Sequence, residues 1–411
     1  MKVPKCKGMR DLLPDDMVKF RRIEEVFRYC SLKWGYEEVR TPTLECLHLF
    51  TATGTLTPGT LGRVYSFLDW DGWSGERVVL RPEGTIPTAR LYTEGLVSNE
   101  ISRLCYVGNT FIFEGTGREQ RERWQCGVEL IGTSQPLADM ELVLLASEVM
   151  EELGIRPLRV KLSHAGLIKA LIAELGLESA EQTQILDQVL DGNIRALGDI
   201  DTENVNLKKA LALLLDTKRS SPGFLEDIGA LLGEAFPRFE PGLKDLSSIS
   251  ELLETMNCTY EIDIASSRGF EYYTGVMFQL YISKKRVGRG GRYDDLISLV
   301  GGPHFPASGF ALYVDQLMDF VNIQRPATSS ILVQPGDSSV IALKSCFKVA
   351  GSLREAGCIV VIDQGQKGVG DYPWLLTVSG ERLLYLTDQA TGRKYELTSE
   401  AEIRQVVENS G

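Results

Sequence analysis

Arg81-Pro-Glu-Gly-Thr85 opens the stretch on which the reading of the chain turns, residues 81 to 132. A helix-like run around 89–95 follows, then two strand-like runs, 103–114 and 124–132. Both are rich in Tyr, Val, Phe, Ile and Leu with glycine at their ends, the pattern of strands bounded by turn residues. Between them, Gly115-Thr-Gly-Arg-Glu-Gln-Arg-Glu-Arg123 is polar and too long for a tight turn. The expectation is strand, long charged loop, strand. Gln125, Gly127 and Glu129 alternate, so they share one face of the second strand. Gln and Glu on one strand face, beside the Glu83–Thr85 loop, suit a site for the ammonium group of a small molecule. The same pattern also suits the polar outer face of an antiparallel sheet.

The chain has 411 residues, 43% hydrophobic and 24% charged, an ordinary globular composition. Its length predicts two to three domains. No apolar run approaches the ~20 residues needed to cross a membrane, and no apolar core follows Met1-Lys-Val-Pro-Lys5 as a secretory signal requires. Eight scattered cysteines form no C-x-x-C pair, and three histidines do not cluster. Reduced thiols in a cytoplasmic protein, with no metal site, are expected. A net charge of −12 argues against a nucleic-acid grip, which needs a positive surface to displace counterions.

In chain order, Lys7-Gly-Met-Arg-Asp-Leu-Leu-Pro14 reads as a loop stopped by proline, and Asp15 or Asp16 can cap the next helix. Phe20, Ile23, Val26 or Phe27, and Cys30 recur at helical spacing, and Gly35 closes the segment. Residues 36–39 read as a strand ending at Pro42, an edge or interface position. A short strand is expected at 64–68, and Asp71-Gly72 signals a hairpin into 77–80. A helix over 138–153 and a strand over 159–162 follow. Residues 165–256 turn rich in Leu, Ala and Glu, predicting four or five short helices broken at Gly192, Ser220-Ser-Pro-Gly223 and Pro237. Strands resume at 259–264 and 276–281. Pro306-Ala-Ser-Gly-Phe-Ala-Leu312 leads into a helix ending at Val321, and a linker spans 324–330. Residues 331–411 predict a small α/β domain: strand, helix at 345–356, strand at 358–362, a glycine-rich break, two strands and a last helix.

Gly288-Arg-Gly-Gly291 lacks the spacing and the Lys-Ser/Thr of a phosphate loop. Beside Tyr293 it reads either as a close backbone approach to a ligand or as a tight strand turn. Arg268 and Glu271, flanked by Tyr272 and Tyr273, could clamp a carboxylate between aromatic walls; a surface arginine stacked on tyrosines is the plainer alternative. No Ser-His-Asp order, thiol nucleophile or metal cluster emerges, and no cofactor is expected.

Five motifs in this order, Lys7-Gly-Met-Arg-Asp-Leu-Leu-Pro14, Arg40-Thr-Pro-Thr-Leu-Glu45, Leu80-Arg-Pro-Glu-Gly-Thr85, Arg268-Gly-Phe-Glu-Tyr-Tyr273 and Gly290-Gly-Arg-Tyr-Asp294, resemble histidyl-tRNA synthetases over about residues 1–325. The resemblance implies an α+β fold: a class II synthetase-like antiparallel sheet flanked by helices, dimeric near Pro42, containing a helical insertion at 165–256. It also implies that 331–411 is a shortened anticodon-binding domain. It assigns a histidine pocket in which Glu83 holds the α-ammonium beside Thr85, and Gln125 and Glu129 face the amino acid. Arg268 would stand near the carboxylate, with Tyr272, Tyr273 and Tyr293 around the imidazole.

The ATP clamp of that family departs here. Its second signature has arginine after phenylalanine, where this chain has Phe111-Ile112-Phe113-Glu114; its third ends in arginine, where this chain has Gln316. Losing one preorganised donor costs ~3–4 kcal/mol of transition-state stabilisation. Two such losses would slow activation by roughly four to five orders of magnitude if additive. Gly117-Arg-Glu-Gln-Arg-Glu-Arg-Trp-Gln125 and Gly127-Val-Glu-Leu-Ile-Gly132 resemble the regulatory subunits of ATP phosphoribosyltransferase, synthetase paralogues of histidine biosynthesis. That resemblance implies a non-catalytic, cytoplasmic subunit partnered with a short-form catalytic subunit in a hetero-oligomer, conferring feedback inhibition by L-histidine. The effector would sit in the old pocket or at the subunit contact. The alternative is an active histidyl-tRNA synthetase; a third class, a synthetase-like module acting on RNA or a sensor kinase, would need a basic face in the tail, where lysines are interspersed with acids.

Overall fold

The structure, a computed structural model, describes residues 4–56, 61–70, 75–97, 101–112, 120–178, 222–232, 236–263, 272–323, 330–365, 372–379 and 383–409, with isolated positions between 181 and 209. Two compact units divide the chain, Met1–Asn322 and Ile323–Gly411.

In the first unit the strands are β1 (Glu37–Glu38), β2 (Leu44–Cys46), β3 (Ser66–Trp70), β4 (Gly75–Leu80), β5 (Ser102–Phe111), β6 (Glu122–Ile131), β7 (Leu158–His164), β8 (Tyr260–Ile262), β9 (Val276–Ile282), β10 (Lys285–Arg292) and β11 (Ala307–Tyr313). Eight form one sheet in the order β1-β5-β6-β11-β10-β9-β7-β8. Its interior pairs are antiparallel, and each outermost strand, β1 and β8, joins in parallel. β5 and β6 pair along their full length, from Ser102 against Ile131 to Phe111 against Glu122. Of the charged loop expected at 115–123, residues 115–119 lie outside the described residues, and 122–123 already belong to β6.

Alternation along β6 sorts its side chains onto two different surfaces. Cys126, Val128 and Leu130 are buried at 0–1% exposure, on the face where the helices Pro14–Lys33 and Pro136–Glu152 pack. Phe20 of the first helix meets the Trp124 ring edge-on at 5.0 Å. That helix buries the expected stripe, Phe20, Ile23, Val26, Phe27 and Cys30, and Asp16 accepts the Leu13 N–H at 3.1 Å to cap it. The opposite face carries Gln125, Gly127 and Glu129, and there the helix Thr85–Gly95 packs. A separate three-stranded sheet, β2-β4-β3, stands before that helix in the chain, and its β3–β4 pair is the expected hairpin.

Several expectations are corrected. Gly288-Arg-Gly-Gly291 is not a turn: it lies within β10, paired on both sides. Its glycines are required by close packing, because a Cβ at Gly290 would collide with the Phe278 ring and one at Gly291 would stand 2.7 Å from the Tyr273 ring. Residues 307–313 form a full strand, and the helix after it is only Val314–Leu317. A short helix, Leu47–Ala52, gave too brief a period to be seen in sequence. In the helical stretch, Ala165–Glu174, Pro222–Leu232 and Glu240–Thr255 are described. Pro237 starts a 3-10 turn running directly into the last of these, while Gly192 lies outside the described residues.

The second unit carries β12 (Ser330–Pro335), β13 (Ile359–Ile362), β14 (Trp374–Ser379), β15 (Leu383–Asp388) and β16 (Lys394–Leu397), in the order β13-β12-β14-β15-β16. One core joins the sheet to the helices Val340–Glu355 and Glu400–Asn409: Ile331, Val333, Leu376 and Leu386 meet Ala350, Leu353 and Ile403. Three strands, rather than two, precede the last helix; β16 is short and half charged, so its alternation was faint.

Candidate functional site

Glycines build the floor of the site. The sheet rows opposite Gln125, Gly127 and Glu129 hold Gly108 and Tyr313, Tyr106 and Ala311, and Leu104 and Gly309. A Cβ at Gly127 or at Gly84 would collide with the Tyr106 ring, so that ring is wedged between two glycines. A Cβ at Gly309 would strike the Glu129 carboxylate, and one at Gly108 the Arg81 guanidinium. Without side chains at these points, larger polar groups lie flat across the strands.

Arg81 is a buried clamp that sequence reasoning missed. Its Nη1 donates to Thr41 O at 3.0 Å and Thr41 Oγ1 at 2.8 Å, and its Nε donates to Asn109 O at 2.8 Å. It ties the motif loop to β5 and to the segment before β2. Two residues on, Glu83 turns inward, 7% exposed. Its Oε2 accepts the Thr85 N–H at 2.8 Å and its Oε1 the Ile86 N–H at 2.7 Å, satisfying two of the donors a helix start leaves open. Burial raises the Glu83 pKa, and these N–H groups and Arg289 oppose the rise.

A small recess opens above this floor, lined by Glu83, Thr85, Gln125, Tyr272, Tyr273 and Arg289 with Gly309, Phe310 and Ala311. Tyr272 and Tyr273 stack at 4.9 Å between centroids, and Tyr293 meets Tyr272 edge-on at 5.6 Å. The Tyr293 hydroxyl donates to Glu129 Oε2. Glu129 is 1% exposed, and its Oε1 has no hydrogen-bond partner among the described residues. Burial drives its pKa well above the usual carboxylate range, and the charge of Glu83 adds to the rise.

The structure thus brings Glu83, Thr85, Gln125, Tyr272 and Tyr273 onto one recess, with Glu129 and Tyr293 joined beside it. Arg268 lies outside the described residues. Arg289 of β10 is on the lining as well, a position hidden in sequence by the glycines around it. Ile112 follows β5, its N–H donating to Arg121 O at 3.0 Å, and Gln316 sits in the helix Val314–Leu317 after β11. Both therefore stand at the Gln125 end of the sheet. Among the described residues no group of His, Cys, Asp or Glu could hold a metal ion, and no helix is long and apolar enough to cross a membrane. The eight cysteines are free thiols.

Chemically, the recess offers the buried Glu83 side chain for an ammonium group and an aromatic wall for a flat ring, with Arg289 also on its lining.

The fold has relatives among known proteins. A family model described as histidyl-tRNA synthetase matches residues 8–317. A Dehalococcoides mccartyi protein named ATP phosphoribosyltransferase regulatory subunit is 45% identical over 405 residues, 98% of this chain and 97% of its own. The histidine–tRNA ligase of Archaeoglobus fulgidus is 32% identical over 379 residues, 88% of this chain and 86% of its own. Among solved structures, an ATP phosphoribosyltransferase regulatory subunit/histidyl-tRNA synthetase from Bacillus halodurans superposes with a TM-score of 0.78 at 24% identity, covering 92% of this chain and 99% of that one, a likeness of fold.

Proposed function

The chain belongs to the histidyl-tRNA synthetase family, and from that premise we propose that it is the regulatory subunit of an ATP phosphoribosyltransferase, not a synthetase. One contrast within one sheet carries the reading. The amino-acid recess keeps its acids and aromatic rings, while Ile112 and Gln316 stand where synthetases place the two guanidiniums that grip ATP. Neither side chain can neutralise phosphate charge, so adenylate formation lacks its main electrostatic support. The name borne by relatives 45% identical over nearly the whole chain points the same way.

The subunit does no chemistry of its own. It self-associates as a dimer and assembles with a short-form catalytic subunit that performs the first step of histidine biosynthesis in the cytoplasm. L-Histidine is the effector and occupies the recess. Glu83 and Gln125 receive its ammonium group; Tyr272, Tyr273, Tyr293 and Glu129 enclose its ring. Arg268 belongs to the same pocket by its motif. Binding biases the complex toward a less active state, and a coupling of ~1–3 kcal/mol is enough for useful feedback.

The test is reconstitution with a short-form catalytic subunit. Phosphoribosyl transfer should depend on this chain and fall as histidine is added. Glu83→Gln should weaken that inhibition while co-elution with the partner persists. Undiminished inhibition in the variant removes the recess as the effector site, and transfer indifferent to the chain removes the regulatory reading.

A further inference from the structure

We propose that Asp245, on the helix Glu240–Thr255, is a positioning residue for the aromatic wall of the recess, and that filling of the recess is thereby coupled to the seating of that helix. The positioning stands on geometry alone. The coupling deepens the function proposed above and rests on it, since it needs an amino acid in the recess.

Tyr272, Tyr273 and Tyr293 come from two chain segments, and a stitch of hydrogen bonds fixes those segments to each other. The Thr274 N–H donates to Arg292 O at 2.8 Å, and the Gly275 N–H donates to the same oxygen at 3.4 Å. In return the Asp294 N–H donates to Thr274 Oγ1 at 2.9 Å. The stitch follows Tyr273 directly and brackets Tyr293, so a slip in it moves all three rings. The Tyr293 hydroxyl reaches Glu129 on the recess side. Register puts Arg292 beside Ser308 and Leu130, on the face opposite Glu129. There its guanidinium donates to Asp139 and Asp245.

Two helices of the helical stretch hold this stitch from behind. The Ala165 N–H donates to Gly275 O at 2.9 Å, and Lys169 Nζ donates to Tyr273 O at 3.5 Å; both residues belong to the helix Ala165–Glu174. The helix Glu240–Thr255 lies so close to the start of that helix that a Cβ at Gly242 would strike Leu167 and stand 3.1 Å from His164 Nδ1. Its Asp245 Oδ2 accepts from Arg292 Nη1 at 2.7 Å, with His164 Nε2 3.5 Å away. Burial works against it, yet His164 and Arg292 hold the Asp245 carboxyl below its usual range. Asp139 is 1% exposed, whereas Asp245 is half-buried. Asp245 is therefore the partner of Arg292 that a shift of the helix Glu240–Thr255 would withdraw. Arg292 would then hang on one carboxylate, and its carbonyl, which both wall amides share, would lose its fixed place.

Hydrogen exchange and calorimetric titration of the full chain, with L-histidine as the probe, test the two parts separately. Without ligand, Asp245→Asn should speed exchange at the amides of Thr274 and Gly275. Gly242→Ala, which presses the same helix outward without changing a charge, should act in the same direction. Glu251→Gln, at an exposed position of that helix, should leave both amides unchanged. With ligand, the Asp245→Asn chain should bind L-histidine about 2- to 30-fold more weakly than the intact chain, the range for a residue that acts on a ligand through a network. Coupling is reciprocal, so L-histidine should slow exchange across residues 240–255 of the intact chain and lose that effect in the variant. Asp245→Glu should recover part of both. A lower melting temperature with unaltered affinity and unaltered exchange at Thr274 would show that Asp245 braces the fold only, and overturns the proposal. If exchange at Thr274 responds but the intact chain binds no L-histidine, the occupancy of the recess has failed: the coupling falls with it, and the positioning stands.

Discussion

Arg292→Met should unfold this protein more readily than any surface change, and more so at neutral pH than in acid. Arg292 is 7% exposed. Its Nη2 donates to Asp139 Oδ2, and its Nη1 donates to Asp245 Oδ2 at 2.7 Å. His164 Nε2 stands 3.5 Å from the same Asp245 oxygen, and Asp294 adds a further negative charge. One guanidinium thus joins β10 to the helices Pro136–Glu152 and Glu240–Thr255. Removing it strands Asp139, 1% exposed, without a counter-ion. Breaking a buried pair from one side costs about 3–5 kcal/mol. At about 2 °C per kcal/mol for a unit of this size, the melting temperature should fall by about 6–10 °C.

The pH dependence follows from Asp139, whose pKa burial raises from 3.8 to about 6 against the pull of Arg292. An acid that holds its proton more tightly when folded loses stability as pH rises through its raised pKa. Without Arg292 that pKa climbs further, so the loss extends to higher pH. The deficit of the variant should therefore shrink on going from pH 7.5 to 5, and Asp139→Asn added to Arg292→Met should recover part of it. Differential scanning calorimetry at both pH values reads this out. A drop under about 1 kcal/mol, or a deficit that grows in acid, would show that these charges are solvated and the cluster is not a joint.

Gly127→Ala drives a methyl into the Tyr106 ring and should cost about 1–3 kcal/mol in urea unfolding; Gly95→Ala, where an added Cβ meets nothing within 4 Å, should be neutral or slightly stabilising. Glu129→Gln should flatten the fall in stability above about pH 4.5, because it removes a carboxyl whose pKa is raised by burial; an unchanged slope would contradict that burial. Arg81→Lys cannot span Thr41 and Asn109 with one fork and should cost about 1.5–3 kcal/mol.

Local periodicity was readable and long-range pairing was not. The alternation of Gln125, Gly127 and Glu129 put them on one face because strand geometry leaves no choice, and the helical stripe from Phe20 to Cys30 was equally plain. β10 escaped because glycine is a poor strand former; its glycines answer to Phe278 and Tyr273 on neighbouring segments, which no local rule reveals. Arg289 was hidden for the same reason. Arg81 looked like part of a loop motif, since its partners lie 28 and 40 residues away. The absence of charge at Ile112 and Gln316, by contrast, is a property of residue type and needs no structure to be seen.

That absence is the centre of the account, and ATP–pyrophosphate exchange by the chain alone, with L-histidine binding measured on the same sample, tests it most directly. The expected result is saturable histidine binding with no histidine-dependent exchange above background. Exchange at the rate of an active synthetase would contradict it, because Ile112 and Gln316 would then have been no obstacle to gripping ATP.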